Sequence, residues 1–144
     1  FIFILDRLSK IFILKLSEPL NELNISITSF INFNLIWNEG IAFGLLSFDN
    51  KVYYNLITLL IVLITLIIIW LSNKAIGIEK ISFLMIVGGS LGNLFDRIYY
   101  SSVPDFIDIS VNNFHWFIFN VADIFITIGV ILLIILEFLK KKTS

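Results

Sequence analysis

The acidic residues best suited to chemistry lie in one stretch of the chain, residues 88–123. Its aspartates are Asp96, Asp105, Asp108 and Asp123. Sequence apolar enough to lie in a lipid bilayer flanks the stretch on both sides. A carboxylate near the bilayer centre is disfavoured by about 2.5 to 3.5 kcal/mol on insertion scales, so acids there usually face a polar interior and mark a functional site. We therefore interpret the stretch as the carrier of a catalytic carboxylate pair, in which one group holds a proton while the other deprotonates water.

A polar face is predicted on the helix before these acids, which we expect over about residues 81–98. Gly89, Asn93 and Arg97 recur every four residues and therefore share one side of that helix, with Asp96 beside them. Arg97 is the only basic residue between residues 80 and 140, and its permanent charge can pair with an acid or hold a carboxylate in its ionised form. The pattern is also compatible with a purely structural salt bridge.

The last helix is predicted to begin near Asn120. Asn120 and Asp123 are three residues apart and share a face of its first turn. Either side chain can also cap backbone donors, and the helix dipole favours an acid at this end, so a structural role for Asp123 stays open. Before this helix, residues 99–116 form a polar and irregular connection by prediction, in which Pro104 fixes the backbone that enters Asp105.

The first apolar segment, residues 1–16, carries charges at one helical spacing. Asp6 and Lys10 are four residues apart and therefore neighbours on one helix face. The spacing alone favours a pair near a membrane surface whose charged ends reach water. Because the chain begins with Phe1 and its one methionine is Met85, we expect the native N-terminus to have been trimmed or to lie upstream, and the first span to be cut short.

Residues 18–51 are too polar to span a membrane, and part of this segment has the period of a strand. Apolar side chains occupy the odd positions from residue 25 to 37, with Ser29 as the exception. We expect a small one-sided sheet here, resting on the helices or the membrane, because a lone hairpin is marginally stable. Asn38 and Gly40 follow at the start of a turn whose glycines permit close backbone approach.

Composition identifies the class of protein. Hydrophobic residues make up 58% of the 144 residues and charged residues 15%, and the mean hydropathy is +0.99, as in an integral membrane protein. We predict a single domain that is mainly α: a four-helix transmembrane bundle with a small extracytoplasmic β-sheet between helices 1 and 2. The predicted spans cover about residues 1–16, 52–71, 81–98 and 121–139.

The same composition excludes several kinds of partner. A net charge of −1 argues against nucleic acid. The absence of cysteine and the single histidine leave no thiolate or histidine cluster for a metal, so we expect neither metal nor cofactor. Lysines accumulate around residues 74–80 and at the C-terminus, whereas residues 18–50 and 98–120 contain neither lysine nor arginine. By the positive-inside rule both termini are cytoplasmic and the acids lie at the extracytoplasmic ends of the helices.

Five motifs, in order, resemble those of signal peptidase II, the bacterial lipoprotein signal peptidase. They lie at residues 6–10, 38–44, 88–97, 103–107 and 119–123, so that the resemblance covers nearly the whole chain. Each motif is weak alone, but their order and spacing are specific. The chain departs from the family pattern at Arg7, where the family commonly has Gln, at Pro104, where it often has Val, and at Phe117, where a Pro usually follows Trp. These positions lie beside the matched residues and leave the assignment intact.

The resemblance implies an aspartic endopeptidase of the bacterial inner membrane, with Asp105 and Asp123 as its catalytic pair. Such an enzyme removes the signal peptide from diacylglyceryl-modified prolipoproteins by cleaving before the lipidated cysteine, contacts membrane lipid and is inhibited by globomycin. We expect a monomer. Residues matching the other motifs, with substrate-binding or supporting roles, are Asp6, Lys10, Asn38, Gly40, Asn93, Arg97 and Asn120.

Other function classes explain the residues less well. A proton-coupled transporter also places acids in its helices, but it usually has internal repeats and interrupted spans, and neither is seen here. A helix-packing subunit explains the spacing of Gly88 and Gly92 but not the convergence of amides, arginine and acids. A serine peptidase is disfavoured because His115 is the only available base and no nucleophile-elbow spacing occurs.

Overall fold

The computed structural model of the chain describes residues 1–18, 23–40, 51–111 and 114–143. Its helices are α1 (Ile2–Ser17), α2 (Lys51–Lys74), α3 (Gly77–Tyr100) and α4 (Val121–Thr143). Its strands are β1 (Asn24–Ser26), β2 (Ile31–Asn38), β3 (Val103–Val111) and β4 (Phe114–Phe119). The mainly helical fold and the small antiparallel sheet agree with the sequence prediction.

Three of the helices are long and apolar enough to cross a membrane: Val52–Lys74, Gly77–Tyr100 and Val121–Lys141. The chain is therefore a multi-pass membrane protein. A hydrocarbon core of about 30 Å needs roughly 20 apolar residues at 1.5 Å each, and these segments reach that length. Their outward faces carry large apolar side chains in direct exposure, as a lipid-facing surface requires. Helix α1 has 16 residues.

The connection predicted at residues 72–80 is shorter than expected. Helix α2 continues to Lys74 and helix α3 begins at Gly77, because polar residues at helix ends keep the helical hydrogen-bond pattern beyond the apolar span. Gly77 has a φ of +56°, a left-handed conformation that glycine adopts without steric cost. The Lys74 ammonium lies 3.5 Å from the centre of the Trp70 ring, an arrangement typical of an interfacial anchor.

Helix α3 is the centre of the bundle, and its glycines allow the neighbouring helices to approach. A Cβ added at Gly89 would lie 2.5 Å from the backbone oxygen of Ala122 in α4, and one at Gly92 would lie 2.6 Å from Asp6 Oδ2 in α1. Helix α2 packs on another side of α3. The glycine spacing read from the sequence as a packing signal thus serves two helices at once, α1 and α4.

Contacts along α3 define the directions of its neighbours. Ile2 lies at Gly88 and Asp6 at Gly92, so α1 runs parallel to α3. Helix α4 runs antiparallel to α3, and at its far end Lys140 Nζ lies 2.8 Å from Glu79 Oε2. The acidic residues 96, 105 and 123 therefore gather at the opposite end of the bundle from this lysine.

The four strands form one antiparallel sheet in the order β1-β2-β3-β4. Strands β1 and β2 pair as a hairpin between α1 and α2, with Ile25 opposite Phe33. Strand β2 then pairs with β3, which lies between α3 and α4, with Phe33 opposite Ile107 and Trp37 opposite Pro104. The register shifts between Phe33 and Ile36.

Two sequence predictions are corrected by this sheet. It is not confined to the segment between helices 1 and 2, and residues 99–116 are not an irregular connection, because β3 and the first half of β4 fall within them. Proline and acidic residues are poor strand formers, which concealed β3 in the sequence. Pro104 is tolerated at the start of the strand, where a missing N–H donor costs least. The pairing partner of β3 is β2, which lies far away in the chain, so no local pattern reports it.

A small apolar core joins the sheet to the helices. Its buried members are Ile13 of α1, Phe106 of β3, and Leu23, which directly precedes β1. The rings of Phe33 and Phe106 meet edge to face, with their centres 6.0 Å apart. Phe106 and Ile107 follow Asp105 directly in β3, and both pack in or against this core. The core thus anchors the strand next to Asp105.

Candidate active site

One continuous chain of hydrogen bonds connects all nine residues selected from the sequence. Each member is linked to the next, from the arginine of α3 through the turn after β2 and the two acids to the lysine and acid of α1. The order is Arg97, Gly40, Asn38, Asp105, Asn120, Asp123, Asn93, Lys10 and Asp6. Residues 41–44 of the glycine turn, which belong to the same sequence motif, lie outside the described residues.

Asp105 lies on β3 and is only 2% exposed. Its Oδ2 accepts a hydrogen bond from Asn38 Nδ2 at 2.8 Å, and its Oδ1 accepts one from Asn120 Nδ2 at 2.6 Å. Burial, followed by the nearby Asp123 carboxylate, raises the pKa of Asp105 to about 7, although the two amide donors oppose this shift. Near neutral pH this carboxyl group is therefore able both to hold and to release a proton.

Asp123 lies in the first turn of α4, where it also takes part in capping. Asn120 N donates to Asp123 Oδ2, and Asp123 N donates to Asn120 Oδ1, both at 3.1 Å. This reciprocal pair is the arrangement of a capping box. The other oxygen, Oδ1, accepts from Asn93 Nδ2 at 2.9 Å. The capping role considered from the sequence is thus present together with a link to α3.

Asn120 bridges the two acids. Its side chain donates to Asp105 while its backbone N–H donates to Asp123, and the residue is fully buried. Within the described residues, neither carboxylate has a lysine or arginine in hydrogen-bond contact. Two close carboxyl groups that are held by neutral donors cannot easily carry two charges, so they are suited to share one proton.

Arg97 holds the turn that follows β2. Its Nη2 donates to the backbone oxygen of Gly40, and Gly40 N donates to Asn38 Oδ1 at 2.9 Å. The guanidinium lies 5.4 Å from the centre of the Tyr54 ring, and Tyr54 Oη donates to the Arg97 backbone oxygen at 3.3 Å. Arg97 therefore acts on Asp105 indirectly, because it positions the amide that binds it.

Asp6 and Lys10 belong to a buried cluster of four charges. Lys10 Nζ donates to Asp6 Oδ2 at 2.9 Å, to Asp96 Oδ2 at 2.6 Å and to Asn93 Oδ1 at 3.0 Å. Arg7 Nη2 contacts the same two carboxylates, at 2.9 Å and 2.7 Å. Asp6 is 0% and Lys10 1% exposed, so the interpretation of this pair as one that reaches water at the membrane surface is wrong.

Sequence reasoning did not place Arg7, Asp96 and Tyr54 in the site. Arg7 and Asp96 are far apart in the chain and meet only because α1 packs along α3. The available sequence signal was the pair of cations Arg7 and Lys10, three residues apart on one apolar helix. Cations buried in such a helix need acidic partners, and Asp6 alone cannot neutralise both. Nothing in the sequence distinguishes Tyr54 from an interfacial aromatic residue.

The remaining aspartate of the stretch, Asp108, points elsewhere. It is 1% exposed, and its Oδ2 lies 2.6 Å from Nδ1 of His115 across the β3-β4 pair. His115 is thereby engaged by an acid other than Asp105 or Asp123. No three His, Cys, Asp or Glu side chains among the residues with described positions converge as metal ligands would.

A cavity of about 290 Å³ lies beside Asp123. The other residues that line it are Phe117, Phe119, Ile124, Thr127 and Ile128. Its walls are almost entirely apolar, and they follow α4 from Asp123 along the exposed side of the helix. Asp123 therefore stands at one end of an apolar groove.

Comparison with known proteins agrees with this geometry. The family model described as signal peptidase (SPase) II, of the A8 peptidases, matches residues 1–139. The chain belongs to the signal peptidase II family. Its function is accordingly that of a signal peptidase II, and the family resemblance drawn from the five motifs is confirmed.

Relatives and solved structures extend the match over the whole chain. The lipoprotein signal peptidase of Pelagibacter ubique is 54% identical over 145 residues, covering 99% of this chain and 87% of that protein. That of Francisella tularensis subsp. novicida is 42% identical over 125 residues, covering 84% and 78%. A bacterial membrane enzyme solved by the in meso method at 2.3 Å superposes with a TM-score of 0.76 at 29% identity, covering 100% of this chain and 85% of that one.

Proposed function

We propose that this signal peptidase is an aspartic endopeptidase with Asp105 and Asp123 as its catalytic dyad. The observation that carries the proposal is the bridge made by Asn120, which binds one oxygen of each carboxylate. Neutral amides supply the other contacts, Asn38 to Asp105 and Asn93 to Asp123. This is the environment in which two carboxyl groups retain one proton between them.

The dyad can perform peptide hydrolysis without a covalent intermediate. The ionised carboxylate takes a proton from water, the water oxygen attacks the peptide carbonyl carbon, and the protonated carboxyl group gives its proton to the carbonyl oxygen. The tetrahedral intermediate then collapses: one of its hydroxyl groups returns a proton to the second carboxylate as the C=O bond re-forms, and the C–N bond breaks as the amine takes the proton that the first carboxylate received. One water molecule is consumed, and the dyad returns to its starting charge.

The amides and Arg97 position these groups in the proposed mechanism. Asn38, Asn93 and Asn120 cannot titrate, so they orient the carboxylates and take no proton. Arg97 stays protonated and holds Gly40, which in turn orients Asn38. Asp6 and Lys10 support the site from the α1 side.

The proposed substrates are diacylglyceryl-modified prolipoproteins, cleaved before the lipidated cysteine. Support comes from the names of the relatives, which are lipoprotein signal peptidases, and from the apolar groove that ends at Asp123. A substrate anchored in lipid reaches such a groove from the bilayer. We also propose that membrane lipid contacts the enzyme, that globomycin-type inhibitors bind at the dyad, and that a monomer without a cofactor suffices for the reaction.

The proposed location is the bacterial inner membrane, with α1 as a fourth span and residues 1–144 as one peptidase domain. Both termini are cytoplasmic in this proposal, and the sheet and dyad are extracytoplasmic, on the basis of the lysine distribution. The chain lacks cysteine, which makes the orientation easy to test. Cysteine at Ser101 should react with an impermeant maleimide added outside, whereas cysteine at Asn73 should not; the reverse labelling contradicts the orientation.

The test of the dyad is the conversion of a lipidated prolipoprotein by purified variants in detergent. Asn has nearly the shape of Asp but cannot exchange a proton, so Asp105→Asn and Asp123→Asn should each lower the rate by roughly a thousandfold or more. Asp108→Asn is the matched control, because this buried acid contacts His115 and lies outside the hydrogen-bond chain. It should keep substantial activity. A rate near wild type in either dyad variant rules out the aspartic mechanism.

A further inference from the structure

Lys10 is the only cation that reaches the dyad through a single intervening side chain within the described part of the protein. Its ammonium group, on a side chain that is 1% exposed, donates to Asn93 Oδ1 at 3.0 Å. Asn93 Nδ2 in turn donates to Asp123 Oδ1 at 2.9 Å. Two hydrogen bonds therefore connect a buried positive charge on α1 to one carboxylate of the pair.

Chemistry allows the Asn93 amide only one orientation between these groups. An ammonium group can only donate hydrogen bonds, so the atom of Asn93 that faces Lys10 must be its oxygen. The NH₂ group then faces Asp123, where an ionised carboxylate is the better acceptor. The Lys10 ammonium on the oxygen side of the amide also polarises the Asn93 N–H that donates to Asp123. Linked hydrogen bonds strengthen one another in a low-dielectric interior.

Asp105 has no comparable connection. Its two donors are the side-chain amides of Asn38 and Asn120, whose oxygens accept from the backbone N–H groups of Gly40 and Asp123. The nearest cation along these hydrogen bonds is Arg97, which lies beyond both Asn38 and the Gly40 backbone and is therefore one residue more remote from Asp105 than Lys10 is from Asp123. The raised pKa of Asp105, about 7, is in keeping with a group that keeps its proton.

We propose that Lys10 is a positioning residue that acts through Asn93 to keep Asp123 the ionised member of the dyad, so that the shared proton stays on Asp105. This inference rests on the proposed function, because it assigns roles within that dyad. Asp123 is then the base that removes a proton from the attacking water, and Asp105 is the acid that protonates the peptide carbonyl oxygen. The C–N bond breaks as Asp123 returns the water proton to the leaving amine.

The charged and titratable groups that face Asp123 come from several elements. Helix α1 contributes Asp6, Arg7 and Lys10, and α3 contributes Asp96 and Arg97, while Asp105 lies on β3. The four charges of the α1-α3 cluster sum to zero. Removing Lys10 removes the donor to Asn93 Oδ1, so the Asn93 amide is no longer polarised toward Asp123 and favours its ionised form less.

The experiment measures kcat and KM for a lipidated prolipoprotein across pH in wild type and Lys10→Met. The bell-shaped profile has an ascending limb, set by ionisation of the base, and a descending limb, set by the acid. We expect the ascending limb of Lys10→Met to move to higher pH by about one unit, which is about a tenfold loss of kcat/KM on that limb. The descending limb should move less in the same direction, since Lys10 also acts weakly on Asp105.

Arg7→Gln is the matched control. Arg7 is a cation of the same cluster and lies on the same two carboxylates, but its hydrogen bonds go to Asp6 and Asp96 and not to Asn93. It should leave the ascending limb within a few tenths of a unit of wild type. Lys10→Arg, which keeps the positive charge, should restore most of the wild-type position. Because Lys10→Met could also destabilise the fold, the double variant Lys10→Met/Asp96→Asn keeps the cluster neutral and should show the same displaced limb.

Three results overturn the proposal: a larger movement of the descending limb, an equal movement in Arg7→Gln, or no movement of either limb in folded Lys10 variants. The activities of Asp105→Asn and Asp123→Asn separate this failure from that of the dyad itself. If both are inactive while the limbs of the Lys10 variants stay in place, the dyad stands and the role of Lys10 is wrong. If either is active, the dyad is wrong whatever the Lys10 variants do.

Discussion

Two pairs of aspartates lie close together in this protein, and different groups face them. Asp6 and Asp96 share Lys10 and Arg7, so two negative charges meet two positive charges. Asp105 and Asp123 are held by asparagines and a backbone amide. Asp6, Asp96 and Asp105 are buried and Asp123 is partly buried, but only the first pair is neutralised.

The difference determines what each pair can do. A buried charge is tolerated when opposite charge and hydrogen bonds compensate it, and the first pair meets this condition because Lys10 and Arg7 each contact both acids. Amides orient the second pair without neutralising it, so one member keeps a proton that it can give up. The first pair therefore fixes the packing of α1 on α3, and the second is available for chemistry.

The largest effect that separates the pairs is expected in stability. Asp6→Asn leaves Lys10 and Arg7 facing one carboxylate in a buried site, and removing one partner of a buried ion pair costs about 3–5 kcal/mol of unfolding free energy. Asp105→Asn removes no partner from any cation and relieves the repulsion with Asp123. The loss of unfolding free energy should therefore stay at about 1 kcal/mol, because the Asn38 or Asn120 amide loses one acceptor. Denaturant titration in detergent micelles measures both. Equal losses contradict the distinction drawn between the pairs.

The next effect is the pH dependence of stability. The pKa of Asp105 rises from 3.8 to about 7 on folding, mainly through burial, so the folded state binds this proton more tightly than the unfolded state. The stabilisation of the folded state by this bound proton is therefore fully present below about pH 3.8 and is lost as pH rises to about 7. We expect Tm to fall over this range in wild type relative to Asp105→Asn.

A wild-type Tm that does not fall relative to Asp105→Asn between pH 4 and 7 excludes a raised pKa for this group.

A smaller effect tests the packing that holds the neutral cluster. In Gly92→Ala the new Cβ lies 2.6 Å from Asp6 Oδ2, and such overpacking costs about 1–3 kcal/mol. Asp6 has little freedom to move because Lys10, Arg7 and the Ala122 N–H hold it. Gly88→Ala is the matched control one turn away, where the new Cβ meets the Ile2 side chain at 2.9 Å.

The contact at Gly88 is with an apolar side chain that no ion pair holds in place, so Gly88→Ala should destabilise less than Gly92→Ala in the same denaturant titration. A greater loss in Gly88→Ala indicates that apolar contact, rather than the charged cluster, controls this interface.

Local chemistry determined much of this protein from its sequence. Long apolar segments cannot satisfy their backbone in lipid except as helices, so the helices followed from composition. The alternation over residues 25–37 indicated strand because side chains of a strand alternate between faces. The charged and amide residues among the nine stood out because such side chains are costly in apolar surroundings unless they serve a site, and the family resemblance grouped them, with Gly40, into one site.

Only the tertiary structure decided how these residues are connected. Strand β3 was missed since its partner β2 lies far off in the chain, and its proline and acids weaken a local strand signal. Arg7 and Asp96 meet only where α1 packs on α3. Whether an aspartate is neutralised or left to share a proton depends on which side chains surround it in space. Sequence spacing reports neighbours on one helix or strand, whereas the environment of each acid here comes from several elements.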